Sequence, residues 1–280
     1  METCPLGEFR GVRIPTAKGH FFRVTFGGGV CMSRNPSKLY SHHVDNLREL
    51  ELALNHIARL SRVAIASRDP QRSLQSLLRL YAFLLGAWAE CRLLKLLHEE
   101  FGFISAERDG ILAHDTQLSQ WEATVELAFR KHHKLWKAEL NDRTLGVTSN
   151  APRKAIVEVL TDQVRAIIEI RNKLAHGQWK YPLTNDGTKV ETEKYTAINK
   201  ENLLSLQFKY KMLGHLADAV HDLVVSPKTF SRDFDEHFGR LQQAQINLAR
   251  RSYASYEADL IRRRNNARES AKTRQSRFPE

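Results

Sequence analysis

An arginine, an amide and a histidine lie within six residues of one another in this 280-residue chain, as Arg171, Asn172 and His176. On a helix with 3.6 residues per turn, Asn172 and His176 share one face, whereas Arg171 lies about 140° from His176. The planar guanidinium of arginine suits a phosphate, and imidazole transfers protons near neutral pH. These groups are sufficient to cleave RNA, because its 2′-hydroxyl supplies the nucleophile and no metal is required.

A strongly amphipathic helix is predicted to position these three residues. Apolar side chains recur at spacings of three and four residues from about position 153 to His176: Ile156, Val159, Leu160, Val164, Ile167, Ile168 and Leu174. Gly177 follows directly, and glycine readily takes the left-handed conformation that ends a helix. His176 is therefore expected in the last turn, where the helix dipole favours a cation.

The short pattern alone has little weight, because an arginine followed five positions later by a histidine is expected about once by chance in this composition. It occurs twice, and the second copy is Arg232 to His237. That copy contains three carboxylates, which would repel a phosphate, so we interpret it as a chance match. The longer string of the first copy, from Arg171 to Gly177 at the end of an apolar helix, distinguishes the two.

That longer string resembles the HEPN superfamily (higher eukaryotes and prokaryotes nucleotide-binding), whose hallmark is arginine, a polar residue, and histidine after four to six positions. It is most similar to the abortive-infection branch and to the nuclease domains of type VI CRISPR effectors. The segment from Leu84 to Glu90 also resembles the preceding helix of that branch. The resemblance covers about residues 36–225 and implies an all-helical bundle with metal-independent endoribonuclease activity.

The resemblance also implies a composite active site in which two such motifs face each other. This chain has one good copy, so a homodimer is expected. The implied roles are proton transfer for His176, phosphate binding for Arg171 and orientation of the phosphate by Asn172. Glu90 matches an acidic residue that some HEPN nucleases carry on an earlier helix, facing the arginine and histidine, and the resemblance implies a supporting or proton-relay role for it. An ion pair of Glu90 with Arg92 or Lys95 is the structural alternative.

The expected fold is mainly α: a HEPN-like helical bundle with a short N-terminal β element, a small β-hairpin after the motif and a long C-terminal helix. Residues 1–35 are predicted to be a basic extended segment, with 36–226 the helical domain and 227–280 the long helix and a basic tail. Alternation between residues 21 and 26, before three glycines, indicates the β element, and Asn185-Asp186-Gly187 is typical of a hairpin turn. Helical periodicity predicts the other helices near 36–69, 71–101, 117–140, 200–225 and 231–268.

Cysteine content and hydropathy indicate a soluble protein of the cytoplasm. Cys4, Cys31 and Cys91 are too widely spaced for a disulfide framework or a cysteine-based zinc site. The first residues do not resemble a secretion signal, and no run of 18 apolar residues occurs, so no membrane contact is expected. Neither a metal nor another cofactor is predicted.

The net charge of +11 is concentrated at the two ends of the chain. Residues 1–38 contain six Lys/Arg and two Glu, and residues 250–280 contain nine Lys/Arg and four acidic residues. Basic ends on a nearly neutral body favour RNA as a partner, although a solvated basic tail is the simpler alternative. The candidate RNA contacts are Lys173, Arg130, Lys131, Lys134, Arg262, Arg263 and Arg264.

These observations favour an RNA-cutting dimer, and the resemblance alone associates it with phage defence. The competing hypothesis is a dormant HEPN protein that binds a structured small noncoding RNA or a partner protein. A toxin of a toxin and antitoxin pair is a third.

Overall fold

A computed structural model describes residues 37–277, and this part of the chain is mainly helical, as predicted. The predicted β element near residues 21–26 lies outside the described range, as does the segment 1–35. The predicted division into three regions stays a prediction. The α-helices are α1 (Lys38–Ser67), α2 (Gln71–Leu97), α3 (Ser105–Leu112), α4 (Gln117–His133), α5 (Asp142–Leu145), α6 (Val147–Val159), α7 (Arg165–Ala175), α8 (Thr192–Lys200), α9 (Leu203–Val225), α10 (Pro227–Arg250) and α11 (Tyr253–Arg277).

Helix α2 is central, because α1, α7 and α9 all pack against it. The sequence predicts this position, since apolar residues surround much of the helix, and Leu85, Ala89 and Leu97 are almost completely buried. Ser37 caps the start of α1 by accepting a hydrogen bond from the backbone N–H of Tyr40 at 3.2 Å. Pro70 separates α1 from α2, as predicted.

The helix that carries the motif starts earlier than predicted, at Val147, and contains a wide turn. Residues Leu160–Val164 form a π-helical turn between α6 and α7. A π turn adds a residue to one turn of helix and rotates the residues that follow it, and it often occurs near functional sites. Periodicity does not reveal it, because Leu160 and Val164 are both buried and continue the apolar stripe.

Two other predicted helices end differently in the structure. Helix α4 stops at His133 rather than near residue 140, because Arg130 donates hydrogen bonds to the carbonyls of Leu135 and Ala138 and turns the chain back. The predicted long C-terminal helix is divided at Arg251, whose backbone is extended. Ser252 then caps α11 by accepting a hydrogen bond from the N–H of Ser255 at 3.4 Å.

The predicted hairpin after the motif does not form strands. Between Gly177 and α8 the structure has a single antiparallel bridge, which joins Leu183 to Val190. The expected turn is present, with Gly187 at φ 72°. Threonine and aspartate side chains hold this turn: Asp186 accepts bonds from Thr184 and Thr188. Side-chain bonding therefore replaces most of a strand ladder here.

A polar network joins the end of α2 to α9 and α10. Glu99 accepts a hydrogen bond from Lys95 and lies 3.5 Å from Nε2 of His221. Asp222 contacts Nδ1 of His221 at 3.3 Å and Nε2 of the buried His237 at 2.9 Å. Burial alone would raise the pKa of Glu99, but the hydrogen bonds from His221 and Lys95 outweigh it and lower the pKa to about 2.

Glu99 is expected to make folding stability depend on pH in the acid range. Because its pKa is lowered from 4.5 to about 2 in the folded state, the stabilisation is present above pH 4.5 and is lost as the pH falls towards 2. Glu99→Gln should therefore lower the free energy of unfolding at neutral pH by on the order of 2 kcal/mol. The difference from wild type should shrink between pH 4.5 and 2. Urea titrations between pH 4.5 and 2 measure this difference in the free energy of unfolding. Glu100→Gln is the control, because Glu100 is the next residue and is exposed. A pH-independent difference would contradict the assignment.

Candidate active site

The end of α7 has the geometry that the sequence predicts. His176 is the last residue before Gly177, which adopts φ 76°. The N–H of Gly177 bonds to the carbonyl of Leu174, and the N–H of Gln178 bonds to that of Lys173. These two hydrogen bonds close the end of the helix, and the side chain of His176 is exposed there.

Arg171 is held from α2 by Glu90. Nη2 of Arg171 lies 2.5 Å from Oε2 of Glu90, and Nη1 donates a hydrogen bond to Oδ1 of Asn172 at 3.1 Å. The two alternative partners of Glu90 are engaged elsewhere: Arg92 pairs with Asp218, and Lys95 pairs with Glu99. The structure thus brings Glu90, Arg171 and Asn172 together across two helices.

Gly86 lets the stem of Arg171 pass close to α2. A Cβ atom at Gly86 would lie 2.4 Å from Cβ and 2.6 Å from Cγ of Arg171, so no larger residue fits without movement. The side-chain nitrogen of Gln117 contacts the carbonyl of Gly86 at 3.4 Å. Sequence analysis did not identify Gly86 and Gln117 as supports of Arg171, because no helical or strand periodicity links either position to Arg171.

A groove of about 550 Å³ opens beside the motif. Asn172 and His176 line it together with Glu169 and with Lys194 of α8, whose Nζ lies 3.8 Å from a carboxylate oxygen of Glu169. The other lining residues come mainly from the segment after Gly177: Gln178, Thr184 and Asn185, with part of Lys173. The amide of Asn172 and the imidazole of His176 can bind a phosphate oxygen and transfer a proton, whereas Lys194 is already paired with Glu191 at 2.7 Å.

Lys173 does not fit its predicted role as an RNA contact. It is buried, with only 8% of its surface exposed. Its ammonium donates hydrogen bonds to the carbonyl of Leu183 and, at 2.5 Å, to the carboxylate of Glu191. Lys173 therefore fastens the segment after Gly177 to α7, and that segment forms one wall of the groove.

Lys173→Met is expected to lower the free energy of unfolding by about 2 kcal/mol, because a buried, charged donor with two partly buried acceptors is lost. Urea denaturation followed by circular dichroism measures the change. Lys189→Met removes an exposed lysine from the same segment and is the matched control, with an expected change below about 0.5 kcal/mol. Equal losses in the two variants would contradict the anchoring role.

The other predicted RNA contacts are dispersed. Arg130 bonds to three backbone carbonyls and to Glu126, and Lys131 bonds to the carbonyl of Gly102 and to Glu107, so both have structural partners. Lys134 is exposed in a left-handed conformation at the end of α4. On α11, Arg262 pairs with Asp259, Arg263 is exposed, and Arg264 donates to the carbonyl of Val63.

The second copy of the short pattern does not form a comparable site. Arg232 is bound by both oxygens of Asp233 at 2.6 Å. His237 is buried, and its Nε2 contacts Asp222. The histidine of this second copy is therefore part of the polar network at the end of α2 and does not line the groove beside the motif.

The part of the chain that the structure describes contains no group of three or more His, Cys, Asp or Glu side chains arranged to hold a metal ion. None of its helices has both the length and the apolar composition that crossing a bilayer requires.

No family model, curated protein or solved structure matches this chain. The function of the site is therefore inferred from its own side chains.

Proposed function

We propose that this chain is a metal-independent endoribonuclease of the HEPN type that acts as a homodimer. The observations that support the proposal best are the contacts of Arg171 with Glu90 and Asn172, and the groove that Asn172 and the exposed His176 line together. These residues supply a positioned cation, a hydrogen-bonding amide and a proton-transfer group. The cytoplasm and phage defence are the proposed setting.

The proposed reaction is an attack of the RNA 2′-oxygen on the adjacent phosphorus. His176 of one protomer removes the 2′-hydroxyl proton, and His176 of the second protomer gives a proton to the departing 5′-oxygen. The bond from phosphorus to that oxygen breaks, which leaves a 2′,3′-cyclic phosphate and a 5′-hydroxyl. Arg171 stabilises the charge that develops on the phosphate oxygens, and Asn172 orients them.

Glu90 acts on this reaction through Arg171. Its carboxylate fixes the guanidinium by a charge-assisted hydrogen bond, and Arg171 retains N–H groups that can face a phosphate. The 27% exposure of the Arg171 side chain leaves part of the guanidinium accessible. We therefore assign Glu90 to positioning rather than to proton transfer.

The proposal is tested by incubating the purified chain with labelled RNA in excess chelator and analysing the product ends. The expected products carry a 2′,3′-cyclic phosphate and a 5′-hydroxyl, and chelation should not change the rate. Products with 3′-hydroxyl ends, or activity that chelation removes, would contradict this mechanism.

The pairing of Arg171 with Glu90 also favours a second candidate, a dormant HEPN protein that binds a structured RNA or a partner. The Glu90 carboxylate already neutralises the charge of the Arg171 guanidinium, so a phosphate must compete with Glu90 for that cation. A gel-shift assay separates the two candidates. A retarded complex with intact RNA after long incubation supports the binder, and cleaved RNA supports the nuclease.

A further inference from the structure

Two half-exposed tyrosines, one on the segment after Gly177 and one on α8, form a stacked pair. The rings of Tyr181 and Tyr195 have centroids 5.7 Å apart and are inclined by only 10°. Tyr181 is 47% exposed and Tyr195 is 38% exposed, so a large part of the pair faces solvent. Nζ of Lys180 lies 4.9 Å from the centre of the Tyr181 ring. Together these residues form an aromatic platform with a cation over the Tyr181 ring.

The segment that presents the platform is fixed by internal bonds. The N–H of Glu191 bonds to the carbonyl of Pro182, next to Tyr181, and the N–H of Tyr195 bonds to the carbonyl of Glu191. Lys173 binds both sides of this segment through Leu183 and Glu191. The rings are thus held in place before any ligand arrives, so stacking against them costs little ordering entropy.

The two tyrosines are close in sequence to residues that line the groove. Tyr195 follows Lys194 directly, and Tyr181 lies between Gln178 and Thr184. Lys194, Gln178 and Thr184 line the same groove as His176. Both tyrosines therefore lie on the part of the chain that forms the groove wall. A nucleotide whose phosphate enters the groove can place its base near their rings.

We infer that Tyr181 and Tyr195 form a stacking subsite for an unpaired nucleobase next to the scissile phosphate. This inference rests on the proposed ribonuclease function and names its substrate class as single-stranded RNA. A base in a duplex is already stacked on both faces, whereas an unpaired base is free to stack on an aromatic ring. Stacking accepts any base, so the subsite selects for single strands rather than for sequence.

Binding to the His176→Ala chain tests the subsite, because that variant holds RNA without cleaving it under the proposed mechanism. The probe is a short unpaired oligoribonucleotide that contains 2-aminopurine, whose fluorescence falls on stacking. Tyr195→Ala and Tyr181→Ala, each added to His176→Ala, should weaken binding by about tenfold or more and reduce the quenching. Tyr→Phe at the same positions keeps the ring and should restore both readouts.

Trp136→Ala is the matched control, since Trp136 is an aromatic residue with 57% exposure outside the groove. Its replacement should leave affinity and quenching unchanged. Unchanged binding in both tyrosine-to-alanine variants would overturn the subsite, as would an equal loss in the Trp136 control. A preference for the same sequence as a duplex would also overturn it.

The subsite and the nuclease proposal fail in different ways. Tyrosine-dependent binding by a wild-type chain that never cleaves RNA would support the subsite and contradict the nuclease. Cleavage that is indifferent to both tyrosines would support the nuclease and contradict the subsite. Absence of any RNA binding would contradict both.

Discussion

Replacing His176 with alanine is expected to lower the rate of RNA cleavage by about 10²- to 10⁴-fold, the range that a positioned acid or base contributes. The side chain is exposed at the end of α7, so its removal leaves no cavity in the core. Folding stability and RNA affinity should therefore stay close to those of wild type. Single-turnover cleavage assays, with thermal unfolding measured alongside, separate a lost reaction step from a lost fold.

His114→Ala is the matched control, because His114 is also exposed shortly after the end of a helix but does not line the groove. Its cleavage rate should equal that of wild type. Full activity of the His176→Ala chain, or an equal loss in the His114→Ala chain, would contradict the assignment of proton transfer to His176.

Gly86→Ala is expected to reduce both stability and cleavage. The new methyl group would lie 2.4 Å from Cβ of Arg171, a contact with the stem of the side chain rather than its mobile end, so α2 and α7 must separate. Forcing an extra group into a packed interface typically costs about 1–3 kcal/mol, which outweighs the gain of up to about 1 kcal/mol for alanine in a helix. The same movement shifts Arg171 relative to Glu90, so the cleavage rate should fall as well.

Gly214→Ala provides the control for helix propensity. Gly214 lies inside α9, and a Cβ there would meet no atom within 4 Å. This variant should be as stable as wild type or more stable by up to about 1 kcal/mol. Chemical denaturation of the two variants measures the difference, and a stabilised Gly86→Ala chain would show that the contact with Arg171 does not constrain the helices.

The local features of the site could be predicted from sequence because they depend on neighbouring residues. Gly177 ends α7 in the left-handed conformation, and His176 is exposed beside it. The periodic stripe likewise predicts that Ile167, Ile168 and Leu174 are buried. Each of these features depends on the helical repeat or on a single glycine, and both signals can be recognised in a single sequence.

Most of the supporting contacts could not be predicted from residue patterns, because they join residues far apart in the sequence. Glu90 and Arg171 are 81 positions apart, so only the family resemblance, and no periodicity, indicates that Glu90 faces Arg171. Lys173 belongs to the motif and is basic, yet its stem passes inwards to reach Glu191. The π turn at Leu160–Val164 leaves the apolar pattern intact, so periodicity gives no sign of it.

Purified mixed dimers test most directly whether two protomers form one ribonuclease site. Wild-type and His176→Ala chains, each with a different tag, are co-expressed and isolated by two successive affinity steps. We expect the mixed dimer to cleave RNA about 10²- to 10⁴-fold more slowly than the wild-type dimer, because the proposed reaction needs His176 from both protomers. A mixed dimer with half of the wild-type rate, or a wild-type chain that cleaves RNA as a monomer, would contradict the shared site.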